Sequence, residues 1–167
     1  MAVLMLFASC ARQAPKVERL HVEGTALMNE KGDTVELKGM SFGWNVLWPR
    51  FYNASAVKHV VEDWEAEIVR AAIGVEIDDD ECQVQNYLKN PDFGKQCACT
   101  IVDAAIENGV YVLVDWHAHG LHTEAAVEFF TYMATKYQGV PNVIYEIWNE
   151  PSYKDHVNQI DYTWAEI

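Results

Sequence analysis

The segment Val143-Ile-Tyr-Glu-Ile-Trp-Asn-Glu-Pro151 joins an apolar run to Asn-Glu-Pro at its carboxyl end. The run has the length and composition of a β-strand that is buried on both faces, as the strands of parallel sheets are. Pro151 has no backbone N–H to offer a strand ladder, so the chain should leave the sheet there. Asn149 and Glu150 are therefore expected at the carboxyl end of the strand, the edge at which parallel barrels place their chemistry.

The residues upstream of this segment alternate between predicted strands and predicted helices. The turn Asn29-Glu-Lys-Gly-Asp33 predicts a hairpin, and strands are predicted over residues 35–43, 68–73, 110–116 and 143–148. Strands separated by helices pair in parallel through right-handed connections. No Gly-rich phosphate loop follows the first strand, which argues against a dinucleotide-binding fold.

Chain length decides between the folds that share this alternation. A (β/α)8 barrel needs roughly 250 residues, whereas this chain has 167. We therefore predict an α/β fold that is the front half of a (β/α)8 TIM barrel, with about four βα units after a short β-hairpin. Residues 20–167 would form this half-barrel, truncated at its carboxyl end. A complete four-stranded α/β domain is the alternative.

Apolar residues at helical spacing predict four helices, each placed after one of the four strands. The first is expected to start near Ser55, the second to end at Asn108-Gly109, and the third to be capped by Thr123. A fourth helical pattern begins around Asp155, and an acidic loop is expected over residues 78–94. The predicted apolar faces are Val57, Val60, Val61 and Trp64 in the first helix, Ala98, Ile101, Val102 and Ala105 in the second, Val127, Phe130, Ala134 and Tyr137 in the third, and Val157, Ile160, Trp164 and Ile167 in the fourth.

The composition is that of a folded acidic protein. Half of the residues are hydrophobic (50%), six are Trp, and the formal net charge is -13. This charge argues strongly against a nucleic-acid surface and gives no support to binding of anionic lipid. A neutral ligand such as a sugar remains compatible with it.

Residues 1–19 are predicted to be a signal-like segment and a linker. The segment is apolar, then small, and ends in Cys10, so it resembles the tail of a bacterial lipoprotein signal with Cys10 as the lipidated residue. The prediction is a secreted or surface-anchored lipoprotein of a bacterium. An ordinary chain terminus is the alternative. The remaining cysteines, Cys82, Cys97 and Cys99, are expected to be buried or half-buried thiols.

Four polar residues lie at or near the ends of predicted strands: Arg70, His117, Asn149 and Glu150. Parallel strands end at a common rim, so these side chains should lie near one another. An Arg and a His fixed beside a carboxylic acid can tune its pKa and orient a substrate. The sequence therefore predicts a chemical site at this rim.

Each of these residues also has a purely structural alternative. Arg70 could pair with Asp115 or Glu76, His117 could be a hydrogen-bonded core histidine, and Glu150 could cap the following helix. Four polar residues at equivalent strand positions favour the functional interpretation.

The segment Tyr145-Glu-Ile-Trp-Asn-Glu-Pro151 resembles the acid/base signature of glycoside hydrolase family 5, the cellulase family of retaining (β/α)8 barrels. The resemblance runs from about residue 20 to residue 167. It includes Leu37-Lys-Gly-Met-Ser41, Val69-Arg-Ala-Ala72 and Val114-Asp-Trp-His117 on the first three strands. Within the family, the chain is most similar to bacterial endoglucanases with Asp-Trp-His on the third strand.

This resemblance implies a role for each residue of the rim. Glu150 would be the general acid/base that protonates the glycosidic oxygen and then deprotonates a water. Asn149 would hydrogen-bond the sugar 2-hydroxyl, Arg70 would brace the nucleophile and hold it ionised, and His117 would line the cleft.

The resemblance also implies aromatic contacts to sugar, because pyranose rings stack on aromatic faces. Trp48, Trp44 and Tyr145 are the predicted substrate-binding residues, and supporting roles are expected for Asp115 and also for Tyr145. The alternative for the aromatic loop after the first strand, which also contains Phe51 and Tyr52, is that its rings cover the top of the barrel.

The family's nucleophile is a Glu at the end of the seventh strand, and it is absent from this chain. It is expected on the order of 80–100 residues beyond Glu150. Since a retaining mechanism needs two carboxylates about 5 Å apart, the 167-residue chain should be inactive alone. The full-length protein is expected to be a monomeric endo-β-1,4-glucanase that acts on β-glucan without a cofactor or a metal.

Other functions stay open at this point. Relatives within the family include β-mannanases and other β-glycanases, and rim loops set that specificity. A non-catalytic surface protein that binds glycans, or a degenerate reading frame without a stable product, is also possible. His117-Ala-His119 with His122 has the spacing of a metal site, but no accompanying carboxylate and Lys ligands are evident, so no metal is predicted. Asp78-Asp-Asp-Glu81 lacks the Gly and spacing of a calcium loop and is predicted to be solvated.

Overall fold

A parallel four-stranded sheet with helices between its strands forms the main body of the protein. The computed structural model describes residues 17–151, 154–155 and 160–161. The strands are β3 (Gly39–Trp44), β4 (Ile68–Gly74), β5 (Tyr111–His117) and β6 (Val143–Glu146), in the spatial order β3-β4-β5-β6. The helices α1 (Ala54–Trp64), α2 (Pro91–Asn108) and α3 (Thr123–Lys136) connect them. This architecture confirms the predicted α/β fold with the alternation of a partial TIM barrel.

A short hairpin precedes the sheet, although its turn differs from the predicted one. Strands β1 (His21–Glu23) and β2 (Ala26–Met28) pair antiparallel around Gly24. The predicted turn at residues 29–33 does form, with the Asn29 N–H donating to the Asp33 carbonyl over 3.0 Å, but only the single bridge Met28–Thr34 follows it. The strand predicted from Val35 begins only at Gly39.

The central strands β4 and β5 hold the core. The side chains of Val69, Ala71 and Ile73 on β4 and Val112 and Val114 on β5 are fully buried. Trp116 packs against Phe129 of α3 and Tyr87, with ring centroids 5.3 and 4.9 Å apart. Cys97 and Cys99 are buried and Cys82 is half-buried, and all three are free thiols, as predicted.

Helix α1 starts at Ala54, close to the predicted start near Ser55, whereas the predicted cap of α3 and part of its predicted apolar face are wrong. The cap of α1 is Asn53, whose side chain accepts from the Ala56 N–H, because an Asx side chain in extended backbone reaches the first turn. In α3, Thr123 is the first helical residue and His122 precedes it without a capping bond. Its buried residues are Phe129 and Met133. Of the predicted face, Tyr137 is buried and Phe130 is partly buried, whereas Val127 is 61% exposed and Ala134 is exposed.

Trp64, predicted on the apolar face of α1, is 56% exposed. The acidic loop, predicted to run to Gly94, ends at Asn90, because Pro91 starts α2 and Gly94 lies inside that helix. Pro at the first helical position loses no intrahelical bond, so α2 begins a turn earlier than its apolar residues indicate.

The last strand and the fourth helix also differ from expectation. β6 is partly exposed along its length because it has one sheet neighbour among the described residues, and Ile147 beyond it is 71% exposed. Residues Lys154–Asp155 (β7) and Ile160–Asp161 (β8) pair as antiparallel strands, so the helix predicted from Asp155 is wrong at these positions. Apolar spacing over so short a segment does not separate helix from strands.

Some sequence predictions lie outside the described residues. These are the lipoprotein-like segment with Cys10, and Val157, Trp164 and Ile167 of the fourth helical pattern. Within the described part of the chain, no helix has both the length and the apolar character needed to cross a membrane.

Candidate active site

The register of the three strands β4, β5 and β6 brings polar side chains onto one face of the sheet. Ala72 pairs with Asp115, and Asp115 pairs with Glu146. Side chains alternate between faces along a strand, so Arg70, two residues before Ala72, shares this face with Asp115 and Glu146. His117 follows Asp115 by two residues and lies on the same face at the carboxyl end of β5.

Arg70 is the centre of this polar network. Its Nε donates to Glu146 Oε2 over 2.8 Å and its Nη2 to Glu146 Oε1 over 2.9 Å, a two-bonded pair. The same Nη2 lies 3.1 Å from Asn149 Oδ1 and 2.8 Å from Asp115 Oδ2. Burial lowers the pKa of Arg70. The hydrogen bond to Glu146 and the negative charges of Asp115 and Glu146 together raise it by more, so the pKa of Arg70 lies above its ordinary value. The guanidinium is therefore charged and held in one orientation.

Asp115 is fully buried and links Arg70 to His117. Its Oδ2 lies 2.6 Å from His117 Nδ1, and its Oδ1 has no hydrogen-bond partner within the described residues. Burial raises the pKa of this carboxyl group above its usual range, although His117 and Arg70 both act to lower it. The cost of desolvation is the reason, because ionising a carboxylate away from water is unfavourable even beside the Arg70 guanidinium.

His117 has a fixed ring orientation. Its Nδ1 faces Asp115, so its Nε2 is the nitrogen free to meet a group outside this pair. The side chain is 7% exposed, and its ring lies 4.3 Å from the Trp44 ring, edge to face. The alternative that His117 is a hydrogen-bonded core histidine is thus partly correct. His117 is buried and hydrogen-bonded, but it lies at the end of a strand, beside Trp44.

Asn149 and Glu150 follow β6 at the same edge. The Asn149 N–H donates to the Trp116 carbonyl over 3.2 Å, and its side chain is buried beside Arg70. Glu150 is exposed and has a φ of 48°, a left-handed conformation that is uncommon for residues other than Gly. No hydrogen bond or ion pair joins its side chain to another described residue. The buried Asn149 and the backbone turn at Glu150 leave this carboxyl group facing solvent at the rim.

The predicted aromatic contacts divide into two groups. Trp44, at the end of β3, is half-buried and touches His117 and His119, with ring centroids 4.3 and 5.4 Å away. Trp48 is 42% exposed, and the Arg50 guanidinium lies 4.9 Å from its ring centroid. Both rings can meet a ligand at the rim.

Tyr145 is the exception among the predicted binding residues. It alternates with Glu146 on β6 and therefore lies on the opposite face, where its ring packs edge-on against Phe130 of α3 at 5.6 Å. Burial raises its pKa. We therefore correct the sequence prediction: Tyr145 is placed to support the sheet from the helix side, away from the cleft.

Two acidic residues at this edge have partners that the sequence does not reveal. Glu146 was part of the quoted motif, and only the two-residue alternation along β6, combined with the strand register, would have placed it against Arg70. Glu76 was considered as a partner of Arg70, but the structure places it against the loop after β5, where its Oε1 accepts from the His119 and Gly120 N–H groups. Asp115, the other alternative partner, does bind Arg70.

The described residues contain no group of three or more His, Cys, Asp and Glu side chains that could hold a metal ion. His117 faces Asp115, while His119 and His122 face Glu76, so the His-x-His pair points to two different carboxylates. In the acidic loop, Asp78 pairs with Lys89.

Comparison with known proteins assigns this chain to a family. The family model described as cellulase (glycosyl hydrolase family 5) matches residues 28–167. The chain belongs to glycosyl hydrolase family 5. It is 40% identical over 141 residues to Endoglucanase Z of Dickeya dadantii, covering 81% of this chain and 31% of the relative. It is also 32% identical over 163 residues to an endoglucanase of Clostridium saccharobutylicum, covering 90% of this chain and 35% of the relative.

Solved structures give the same result for this family 5 chain. A Cytophaga hutchinsonii structure superposes with a TM-score of 0.75 at 42% identity, covering 81% of this chain and 42% of that one. The catalytic domain of Thermobifida fusca endoglucanase Cel5A superposes with a TM-score of 0.70 at 30% identity, covering 89% and 46%. The chain therefore spans about a third of the length of these two curated relatives and less than half of these two solved chains.

Proposed function

We propose that this chain supplies the acid/base half of the active site of a retaining endo-β-1,4-glucanase. The observation that best supports the proposal is the rim itself, where Arg70 binds Asn149 and Glu146 and where Glu150 follows Asn149 directly. Its relatives in the family are named endoglucanases. A structure of the Thermobifida fusca enzyme, which superposes on this chain, is described as a complex with cellotetraose.

In the proposed reaction Glu150 protonates the glycosidic oxygen as the bond to the anomeric carbon breaks. A carboxylate from the part of the barrel outside this chain attacks the anomeric carbon and forms a glycosyl–enzyme ester. Glu150, now ionised, deprotonates the water that hydrolyses the ester and so regains its proton. The exposed position of Glu150 gives both the leaving-group oxygen and the water access to it.

The network behind Glu150 keeps the rest of the site in place. Asn149 has its N–H bound to the Trp116 carbonyl and its side-chain oxygen to Arg70, so its side-chain NH2 is left to donate to a sugar hydroxyl. Such a bond contributes to catalysis when it strengthens in the transition state. Arg70 places a permanent positive charge close to where the second carboxylate would lie, which favours the ionised form of that group.

A chimera tests this proposal. The chain is joined to the part of Endoglucanase Z that follows the matched region, and hydrolysis of carboxymethyl cellulose is measured. We expect turnover by the wild-type chimera, a loss of about 100-fold or more in Glu150→Gln, and no loss in the control Glu107→Gln, an exposed residue of α2. Equal turnover by the Glu150 and Glu107 variants would contradict the assignment.

We also propose that the 167-residue chain has no turnover alone, because a retaining mechanism needs a second carboxylate and the family resemblance places that nucleophile on a seventh barrel strand, beyond the four-stranded sheet of the described residues. The purified chain should show no release of reducing sugar above its Glu150→Gln variant. Turnover above that control would show that another residue of this chain acts as the nucleophile. β-Mannan and xylan are the alternative substrates, and the chimera's relative rates on the three polysaccharides separate them.

Export is a further proposal, supported by the lipoprotein-like sequence that ends at Cys10. Expression of the chain in a bacterium with labelled palmitate should label the wild type and leave Cys10→Ala unlabelled. Label in both, or in neither, would contradict lipidation at Cys10.

A further inference from the structure

Glu76 is a buried carboxylate next to the rim that the proposed mechanism does not use. It lies two residues beyond the end of β4, and its side chain is 8% exposed. Burial of a carboxylate costs several kcal/mol unless hydrogen bonds or opposite charges compensate it. Among the residues that the structure describes, no Lys or Arg forms an ion pair with Glu76. Its compensation comes instead from the loop after β5.

This loop, residues 118–122, is fastened to Glu76 through two consecutive backbone amides. The N–H groups of His119 and Gly120 both donate to Glu76 Oε1, the second over 3.2 Å. Two successive N–H groups that converge on one oxygen fix the direction of the backbone between them. The loop is thereby tied to β4 as well as to its own strand.

The second carboxylate oxygen has no hydrogen bond. Glu76 Oε2 lies 3.7 Å from His122 Nε2, longer than a hydrogen bond, and both atoms are buried without partners within the described residues. The Glu76 contribution to the loop is thus concentrated in Oε1, while the His122 ring stands opposite Oε2.

The fastened loop brings His119 to the rim. Its ring lies 5.4 Å from the Trp44 ring, which in turn lies 4.3 Å from His117. Trp44 belongs to β3 and both histidines follow or end β5, so the three rings join two strands across β4. Glu76 stands behind this row of rings, which we call the ring wall (Trp44, His117 and His119).

We propose that Glu76 is a positioning residue that holds His119 in the ring wall and so shapes the surface on which a pyranose ring of the substrate rests. Sugar rings stack on aromatic surfaces through their C–H faces, and a displaced ring loses that contact. This inference rests on the proposed function, since it concerns how the same cleft binds β-1,4-glucan.

The substitutions Glu76→Ala and Glu76→Gln separate positioning from charge. In Glu76→Gln, the side-chain carbonyl still accepts from both amides and the NH2 can donate to His122 Nε2, so the loop should stay in place. In Glu76→Ala both amides lose their acceptor. Asp80→Ala, an exposed acidic residue of the neighbouring loop, is the matched control.

The test compares these variants of the 167-residue chain by amide hydrogen exchange and by titration with cellotetraose. In Glu76→Ala we expect exchange at the His119 and Gly120 amides to accelerate about 10-fold or more. The Kd for cellotetraose should rise about 5-fold or more. Glu76→Gln and Asp80→Ala should stay within about 2-fold of wild type in both measurements. His119→Ala should weaken binding as Glu76→Ala does, while the Gly120 amide remains protected.

Unchanged amide exchange in Glu76→Ala would overturn the inference, and so would faster exchange with an unchanged Kd for cellotetraose. Faster exchange or weaker cellotetraose binding in Glu76→Gln would also overturn it. If Glu76→Ala does not fold, Glu76→Gln still tests whether an uncharged acceptor keeps the His119 and Gly120 amides protected, and His119→Ala still tests whether the His119 ring contributes to cellotetraose binding. Failure of the wild-type chain to bind cellotetraose would count against the proposed function instead, and the exchange data would still decide whether Glu76 fastens the loop.

Discussion

At the scale of single residues, Asp115 shows how burial and charge compete in this site. Its fully buried carboxyl group meets both Arg70 and His117, yet burial raises its pKa above the usual value. A carboxyl group whose pKa is higher in the folded than in the unfolded chain binds more protons when folded. Its contribution therefore stabilises the fold at low pH and is lost as the pH rises from the unfolded to the folded pKa.

Asp115→Asn tests this competition, because Asn cannot titrate. We expect the free energy of unfolding of the variant, relative to wild type, to increase as the pH rises above about 4, by about 1.4 kcal/mol for each unit of pKa elevation. Urea unfolding at a series of pH values measures the difference. A relative stability that falls with rising pH would mean that Arg70 and His117 outweigh burial and lower the pKa.

Arg70→Lys tests the geometry of the polar network. A Lys ammonium cannot make the parallel bonds to Glu146 and also reach Asn149 and Asp115. We expect a loss of about 1–3 kcal/mol in the free energy of unfolding and a change in the Asn149 side-chain amide resonances. Arg50→Lys, an exposed Arg over Trp48, is the control and should change stability by about 0.5 kcal/mol or less. Equal effects of the two substitutions would show that the network adds nothing beyond a surface charge.

Residue identities at the rim could be predicted from strand ends, but their pairing could not. Arg70, His117 and Asn149 were placed at one edge by the rule that parallel strands share a direction. The Arg70–Glu146 pair required the register across β4, β5 and β6, which the sequence does not state. Tyr145 was misassigned because a motif was carried over as a block, without counting its alternating faces.

At the scale of elements, α1 shows which residue starts a helix. Asn53 Oδ1 accepts from the Ala56 N–H over 2.9 Å and from Ser55 Oγ over 2.6 Å. Asn53→Ala should therefore cost about 1 kcal/mol in the free energy of unfolding. Ser55→Ala, two residues away, should cost about 0.5 kcal/mol or less. Urea unfolding of the two variants measures both costs, and a larger loss in Ser55→Ala than in Asn53→Ala would contradict the assignment of Asn53 as the cap.

Gly94 in helix α2 allows the Tyr87 ring to pack closely against the helix. A Cβ at Gly94 would lie 2.6 Å from Tyr87 Cδ2, and the Tyr87 ring is held between Trp116 and Phe129. Although Gly→Ala favours a helix by about 1 kcal/mol, we expect Gly94→Ala to lower the free energy of unfolding by about 1–3 kcal/mol. Gln96→Ala, at an exposed position of the same helix, is the control and should be close to neutral. A stabilised Gly94→Ala would show that Tyr87 moves aside at little cost.

Long, buried elements with strong apolar periodicity could be predicted from the sequence. The exposed face of α3 and the short strands at the end of the described chain could not. Strands β4 and β5 and helix α2 are buried, so their sequences are apolar on every core-facing position. In α3, the predicted face contained Val127, which is exposed, because the helix is also apolar on the side that faces away from the described sheet. The segment that contains β7 and β8 is too short for helical spacing to distinguish a helix from strands.

At the scale of the whole molecule, the chain belongs to family 5, and its described parallel sheet is consistent with part of a (β/α)8 barrel. The sheet ends at β3 and β6, each with one sheet neighbour among the described residues. The chain spans about a third of the length of the Dickeya dadantii and Clostridium saccharobutylicum relatives. In the proposed reaction, Glu150 of this chain is the acid/base catalyst, and the nucleophile comes from another part of the barrel.

The most direct test of this division is the dependence of rate on the leaving group in the chimera with Endoglucanase Z. Glu150→Ala should slow hydrolysis of an unactivated β-cellooligosaccharide about 100-fold or more, because its leaving oxygen needs a proton. The same variant should cleave the glycosidic bond of dinitrophenyl β-cellobioside at nearly the wild-type rate in the first step, since that leaving group departs unprotonated. Equal losses on the two substrates would contradict the assignment of Glu150 as the general acid.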